Sequence, residues 1–240
     1  MKPPPSPVKP DAAPGGAAAV DRALALLCAF RSGDTVLSLS ELAQRTSLYK
    51  STALRLLASL DHAGLVQKIE AGGYALGGEV ARLASVHSAS FSLDRVVLPV
   101  LKQLVAATGE SAAYHVRQGD ARLCLYRVDS PHPIRDHIRA GDLLPLARGS
   151  GGRVLVAFDP ELAKAAPPRD RRVLAQIREQ GYYAATGDRL AEVAGISAPV
   201  FAADGRIAAS LTLTMPAHRY QARYVKAVLE GARQLTGRIG

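Results

Sequence analysis

One short stretch of the sequence gathers hydroxyl and cationic side chains at helical spacing. Five of its residues share one helix face or its first turn: Lys50, Ser51, Thr52, Arg55 and Ser59. Small hydroxyls and long cations are suited to contact phosphates and base edges, and no acid interrupts this face. The pattern favours a DNA-contacting helix, and a solvated face of an ordinary helical domain is the alternative.

A glycine-rich run, Gly149 to Gly152, is the second stretch whose residues could bind a ligand or carry out a reaction. No Gly-Lys-Ser/Thr follows it, which argues against a nucleotide phosphate loop. It also lacks one of the two flanking glycines of a hydrolase nucleophile elbow, because Arg148 stands two residues before Ser150. A helix N-terminus that binds a carboxylate through backbone N–H groups is favoured, with a plain glycine turn as the alternative.

Arginines are frequent around this run. Seven lie between Arg117 and Arg153, against four acids. A solvated or subunit surface is the first interpretation. The second is that Arg127 or Arg148 holds an anionic ligand by two hydrogen bonds.

The remaining reactive residue types do not form a catalytic or metal set. His132 and His137 flank a loop without a cysteine or paired carboxylate nearby, so we expect no metal and no cofactor. Cys124 lies among apolar residues and is expected to be buried and inert. Tyr114 and Tyr126 either line an aromatic-acid pocket or pack in a core. No catalytic residue is expected, because no nucleophile–base pair can be assembled.

Length and composition set limits on the fold. The 240 residues, 48% of them hydrophobic, can form one large domain or two small ones with a real core. The formal charge of +9 permits a polyanionic partner without locating its site. Two cysteines exclude a disulfide framework, no apolar run is long enough for a membrane span, and the start lacks a secretion signal. We therefore expect a cytoplasmic protein with no membrane partner.

The first third of the chain predicts a small helical domain after a tail. Residues 1–19 hold six of the fifteen prolines and predict a disordered tail. Residues 20–76 predict three helices and a β-hairpin, with a capping box from Ser38 to Glu41 and a third helix from about Lys50 to His62. The core face of this third helix is an apolar stripe: Ala53, Leu56, Leu57 and Leu60.

The rest of the chain changes character. Residues 77–108 predict two helical pieces with Pro99 at their junction, where it either kinks one helix or starts the second. From Glu110 onward strands alternate with helices, which indicates an antiparallel α+β domain. The predicted strands are Ser111–Arg117, Arg122–Val128, Ile196–Ala202 and Ile207–Thr214, and the helices are Gly152–Phe158, Arg171–Gln180 and Gln221–Leu235.

In this order the motifs resemble the IclR family of bacterial transcription regulators. The resemblance covers residues 20–235 and rests on an ordered set of short matches. In the first half these are Val20–Leu27, Leu39–Ala43, Lys50–Leu57 and Tyr74–Gly77. In the second half they are Gly141, Pro145-Leu146, Gly152, Gly181-Tyr182, Ala198–Phe201, Asp204-Gly205 and Leu211–Thr214 before Pro216.

The resemblance implies an architecture and a function. It implies a winged helix-turn-helix domain at 20–76, a linker helix at 77–97 and a GAF-like effector-binding domain at 98–240. It also implies a homodimer, or a dimer of dimers, that binds palindromic double-stranded operators of catabolic operons. The effector would be a small organic acid, aromatic acids included.

The resemblance also implies site residues. DNA would be contacted by Arg45, Tyr49, Lys50, Ser51, Thr52 and Arg55. The effector would be bound by backbone N–H groups of Ser150 and Gly151, hydroxyls of Thr212 and Thr214, apolar walls from Leu144 and Val193, the carboxylate of Asp188, and space left by Gly195. Ser47 and Tyr49 replace the family's usual glycine and proline before the recognition helix.

A second class of function stays open at this point. A small-molecule enzyme or sensor could carry the helix-turn-helix only as an oligomerisation module. Such an enzyme would need a nucleophile–base set or a metal set, which the residues above do not provide.

Overall fold

The computed structural model describes residues 13–90 and 93–238, and the chain divides into two compact units, Met1–Phe91 and Ser92–Gly240. Of the tail predicted at 1–19, residues 1–12 lie outside the described residues. No helix within the described ranges is long and apolar enough to cross a membrane.

The first unit is a helical domain with a two-stranded wing. Its elements are α1 (Ala18–Cys28), α2 (Leu39–Thr46), α3 (Lys50–His62), β1 (Val66–Lys68), β2 (Tyr74–Leu76) and α4 (Gly78–Ser90). β1 and β2 pair antiparallel, and Leu37 adds a bridge to Tyr74. The predicted winged helix-turn-helix is confirmed, and α3 has the predicted bounds.

The helices of this unit begin and pack as their sequence dictates. Ser38 Oγ accepts a 3.2 Å hydrogen bond from the Glu41 N–H, and the Glu41 carboxylate accepts one of 2.8 Å from the Ser38 N–H. This capping box satisfies two donors that the start of α2 would otherwise leave unpaired. The core consists mainly of leucines and alanines: Leu26, Leu37, Leu42, Ala43, Ala53, Leu57 and Leu60. Leu56 is only partly buried against it.

The turn between α2 and α3 contains a strained residue. Ser47 has φ 54° and ψ 31°, and it is the one non-glycine residue with positive φ in the described part of the chain. A left-handed conformation costs an L-residue about 1–2 kcal/mol, which glycine avoids. The turn therefore keeps the geometry that presents α3, although it lacks glycine.

The second unit is a six-stranded antiparallel sheet with helices. Its helices are α5 (Leu93–Thr108), α6 (Ser150–Phe158), α7 (Pro160–Ala165), α8 (Pro168–Gln180) and α9 (Tyr224–Leu235). Its strands are β3 (Ser111–Gln118), β4 (Ala121–Val128), β5 (Leu143–Pro145), β6 (Tyr183–Thr186), β7 (Val193–Phe201) and β8 (Ile207–Pro216). The strand order is β5-β4-β3-β8-β7-β6.

The two faces of this sheet differ in chemistry because side chains alternate along each strand. In β8, Leu211 and Leu213 belong to the apolar core formed with α5 and α9. Thr212 and Thr214 point to the opposite face, where Gly151 of α6 lies against Thr212. The α6 face is therefore lined by buried polar groups.

The structure corrects several details of the predicted elements. Pro99 lies inside α5 rather than at a helix junction, where it removes one backbone hydrogen bond. Residues 77–97 comprise α4 and the start of α5, and residues 91–92 lie outside the described ranges. β5, β6 and α7 were not predicted, because elements of three to six residues are too short to show a period.

Candidate DNA interface and effector site

The polar face of α3 is available to a ligand. Tyr49 is the N-cap residue of α3 and is 85% exposed. Lys50, Ser51 and Arg55 are also exposed, and Thr52 is half-buried. Within the described residues no carboxylate forms an ion pair with Lys50 or Arg55. Both charges can therefore be used to bind an anion.

Arg45 does not belong to this face. Its guanidinium pairs with Asp34 and donates a 2.9 Å hydrogen bond to the carbonyl of Ala29. The Arg45 hydrogen bond holds the pKa of Asp34 below its ordinary value. Arg45 thus ties α2 to the end of α1 and the loop after it. The geometry does not support the phosphate contact expected from the sequence, because the charge is already compensated.

A small cavity lies on the α6 face of the second unit. Six of the eight predicted effector residues line it: Ser150, Asp188, Val193, Gly195, Thr212 and Thr214. The cavity leaves about 30 Å³ for the centres of water molecules. Since one water needs roughly 10–15 Å³ by this measure, the space is small and favours a compact ligand.

The first turn of α6 supplies hydrogen-bond donors at this cavity. Gly149 precedes the helix with φ 79°, and its N–H donates a 2.6 Å hydrogen bond to Asp188. The N–H groups of Ser150 and Gly151 have no acceptor among the described residues, as is normal for a first helical turn. The helix dipole adds a favourable potential for an anion at this end.

A chain of hydrogen bonds fixes the hydroxyls around the cavity. Ser197 Oγ donates to Ser150 Oγ at 2.8 Å and lies 2.8 Å from Thr212 Oγ1. Because Ser197 has a single hydroxyl proton, Thr212 must donate to Ser197. Thr212 in turn accepts from Nδ1 of His115, 3.3 Å away. This order leaves the Ser150 proton free to donate to a ligand.

The structure adds a cation that the sequence interpretation missed. Arg122 of β4 lines the cavity, is 3% exposed, and its Nε and Nη1 have no hydrogen-bond partner within the described residues. A Cβ placed on Gly151 would lie 2.8 Å from both Arg122 Nη1 and Thr212 Oγ1, so these groups are neighbours. The sequence could have indicated that Arg122 is buried. It lies two residues before Cys124 in the same predicted strand, so both side chains face the same side of the sheet, and Cys124 was expected to be buried.

Burial sets the charge states of the His115 ring and the Arg122 guanidinium at this cavity. It lowers the pKa of Arg122 to about 10, and the nearby charge of Arg189 acts in the same direction. Burial, followed by the charges of Arg122 and Arg127, lowers the pKa of His115 well below its ordinary value. At neutral pH the cavity therefore contains a charged Arg122 beside a neutral His115, whose Nε2 has no partner among the described groups.

Asp188 lines the cavity, but its carboxylate is already engaged. It accepts hydrogen bonds from the Gly149 N–H and from Nε of Arg153, at 2.6 and 2.9 Å. Arg153 also reaches Asp170 at 3.2 Å. Asp188 thus joins the loop after β6 to the start of α6, which is a structural role beside the expected ligand contact.

Two predicted residues have a different role from the one expected. Leu144 does not line the cavity; it packs against the cluster formed by Ala113, Cys124 and Ile138. Gly195 does not enlarge the cavity, because a Cβ there would collide with the Ser150 side chain. The missing side chain makes room for the Ser150 hydroxyl, so it gives no reason to expect a large ligand.

The arginines singled out from the sequence also lie elsewhere. Arg127 is buried and forms ion pairs with Asp129 at 2.7 Å and with Asp136. Arg148 is exposed and does not line the cavity. The cation at the cavity is Arg122 instead.

The structure gives packing roles to the cysteine and the two tyrosines that the sequence singled out. Cys124 is fully buried, and burial raises the pKa of its thiol to about 12, which confirms an inert residue. Tyr114 and Tyr126 belong to the apolar core with α5 and α9, on the face of the sheet opposite the cavity. Core packing therefore accounts for both rings.

Comparison with known proteins gives matches along nearly the whole chain. A family model described as the IclR helix-turn-helix domain matches residues 19–70. A second, described as the bacterial transcriptional regulator IclR C-terminal domain, matches residues 86–169 and 165–239. Together they cover both units.

Individual relatives agree with these matches. The chain is 29% identical to the glycerol operon regulatory protein of Streptomyces coelicolor over 75% of this chain and 78% of that protein. It is also 29% identical to the HTH-type transcriptional regulator BhcR of Paracoccus denitrificans, over 92% and 87% of the two chains. A solved IclR homologue from Microbacterium hydrocarbonoxydans, complexed with 4-hydroxybenzoate, has a TM-score of 0.79 and 25% identity, and the match covers 91% of this chain and 97% of that one.

Proposed function

The chain belongs to the IclR family of transcriptional regulators, and from this premise we propose that α3 reads a palindromic operator under control of a small organic acid bound at the α6 N-terminus. Members of the family are DNA-binding regulators with an effector-binding domain and are not enzymes. An enzyme that uses the helix-turn-helix only for assembly is accordingly not favoured.

The exposed face of α3 supports the operator contact. Lys50 and Arg55 lack carboxylate partners among the described residues, while the apolar stripe on the other side of α3 is buried. A helix held in this way can enter a major groove without exposing its core. Arginine commonly reads guanine through two hydrogen bonds, whereas a lysine at the first turn suits a phosphate.

A palindromic operator requires two copies of this helix. We expect the protein to be at least a dimer, because a monomer would read only half of such a site. Apolar side chains of the first unit offer a surface for assembly, since Val20, Leu24 and Leu83 are each 47–55% exposed. Light scattering at micromolar concentration should give a mass of at least twice 25.3 kDa. A single 25.3 kDa species would contradict this expectation.

The observation that carries the effector site is the set of unpartnered donors at one small cavity. The N–H groups of Ser150 and Gly151, the Ser150 hydroxyl and the guanidinium of Arg122 all lack acceptors among the described residues. A carboxylate that leaves water must regain several hydrogen bonds, and these donors can provide them. The similar protein solved with 4-hydroxybenzoate also carries an organic acid, and another relative is named for a glycerol operon. We therefore propose that the controlling effector is an acid from carbon catabolism.

The effector contact can be tested at its threonines. Thr214→Val removes a cavity hydroxyl that can face the acid, and Thr212→Val removes the hydroxyl that bonds Ser197 and so orients the Ser150 donor; both keep the side-chain shape. Each is expected to weaken binding of the acid found in a calorimetric screen by about 1 kcal/mol, roughly fivefold. Thr186→Val, an exposed position at the end of β6, is the matched control. Affinity that is unchanged in both cavity variants would mean that the acid binds elsewhere.

The link to transcription needs a separate measurement. Gel-shift titration with DNA from upstream of the gene, with and without the acid, measures the coupling between the two sites. The ligand can alter operator affinity only if it binds the DNA-competent and incompetent states differently. Operator affinity that ignores a bound acid would contradict the proposed control while leaving DNA binding intact.

A further inference from the structure

Two cations that line the cavity form no ion pair with a carboxylate of the described residues. Arg122 is almost fully buried, and Arg189 is half-buried in the loop after β6. The neighbouring arginines are each compensated, Arg127 by Asp136 and Arg153 by Asp188. Each of those two arginines also contacts a second acid, Asp129 and Asp170 respectively. Since His115 is neutral, Arg122 and Arg189 are the cavity cations that lack an ion pair among the described residues.

A buried cation without a partner is costly, so a fold retains one where a ligand or another charge completes it. Burial, followed by the charge of Arg189, lowers the pKa of Arg122. Burial also lowers the pKa of Arg189, where the nearby charge of Asp136 acts in the opposite direction. The one carboxylate that lines the cavity, Asp188, is held by Arg153 and the Gly149 N–H. A ligand with two carboxylates offers a separate ion-pair partner to each arginine, and a monocarboxylate offers only one.

The cavity also limits the size of its occupant. Its space is small, and Gly195 does not extend it because Ser150 fills the adjoining volume. The small space favours a short-chain acid over an aromatic one. Ile138, in the loop that follows β4, lines the cavity as an apolar wall.

We infer that the effector is a compact dianion, a dicarboxylate of about two to four carbons. One carboxylate would accept from the α6 N-terminus and the Ser150 hydroxyl, and the other from Arg122 with support from Arg189. The inference rests on the proposed function, because it names the ligand class of the same site.

Calorimetry on the full chain with matched acids tests the charge requirement. Malonate and propionate have the same number of carbons and differ by one carboxylate. Malonate should bind at least about tenfold more tightly. The preference should fall below about threefold in Arg122→Gln and in Arg189→Gln. Arg148→Gln removes a charge from an exposed residue outside the cavity and should keep the full preference.

The outcomes separate this inference from the proposed function. If propionate or 4-hydroxybenzoate binds as tightly as malonate, and Thr212→Val weakens that binding, the ligand need not be a dianion and the proposed effector site still stands. Inorganic phosphate binding more tightly than malonate would overturn the dicarboxylate in favour of a phosphoryl group. A malonate preference that survives in Arg189→Gln would overturn it even if Arg122→Gln fails to fold. Absence of binding by every acid would reject both proposals.

Discussion

Arg55→Ala is expected to weaken operator binding by about 1–3 kcal/mol per half-site, which is roughly five- to 150-fold. The side chain is exposed on α3, has no carboxylate partner among the described residues, and lies on the face opposite Ala53 and Leu57. Its removal should therefore leave the fold intact. In a dimer the loss occurs twice, which makes this one of the largest effects expected for any exposed residue.

The measurement distinguishes base reading from simple charge. Fluorescence anisotropy with the operator and with a scrambled duplex should show that Arg55→Ala loses affinity mainly for the operator. Lys50→Ala should weaken both duplexes similarly and reduce the dependence on salt by about one phosphate contact. Arg22→Ala, an exposed arginine of α1, controls for net charge. Wild-type operator affinity in folded Arg55→Ala protein would rule out this role for α3.

The DNA-binding unit was largely predictable because its signals are local. The capping box at Ser38, the apolar stripe of α3 and the glycines of the wing each act within a few residues along the chain. The ion pair of Arg45 could not be predicted, for the opposite reason. Its partner Asp34 is eleven residues away, and only the fold brings the two side chains together.

The residues of the effector site were easier to predict from the resemblance to the family than from the pattern of residue types alone. The motif positions at Ser150, Thr212 and Thr214 do line one cavity. Arg122 could not be chosen over Arg127 and Arg148 from their residue types, because all three are arginines in a cationic stretch. What separates them is pairing across the sheet and loop: Arg127 meets Asp136, and Arg122 meets no acid among the described residues.

The second large effect is expected on stability, from the ion pair between Arg127 and Asp136. Its side chain is 4% exposed and that of Asp136 is 2% exposed, so the pair is desolvated. Asp129 also bonds Arg127, but that carboxylate is half exposed and compensates less. Removing one member of a buried pair leaves an uncompensated charge in a medium that solvates it poorly. The loop that carries Asp136 also carries Ile138, which lines the cavity.

Asp136→Ala is therefore expected to lower the free energy of unfolding of the second unit by about 3–5 kcal/mol, measured by urea denaturation with circular dichroism. Asp204→Ala removes the acid of an exposed pair with Arg206 and should change stability little. The double variant Arg127→Met/Asp136→Leu should recover most of the loss, because no charge then remains buried without a partner. This recovery separates charge compensation from packing of the loop. If Asp136→Ala proves as stable as Asp204→Ala, the ion pair does not hold the loop over the cavity, and Arg127 would have to be counted with Arg122 and Arg189 as a cation open to the effector.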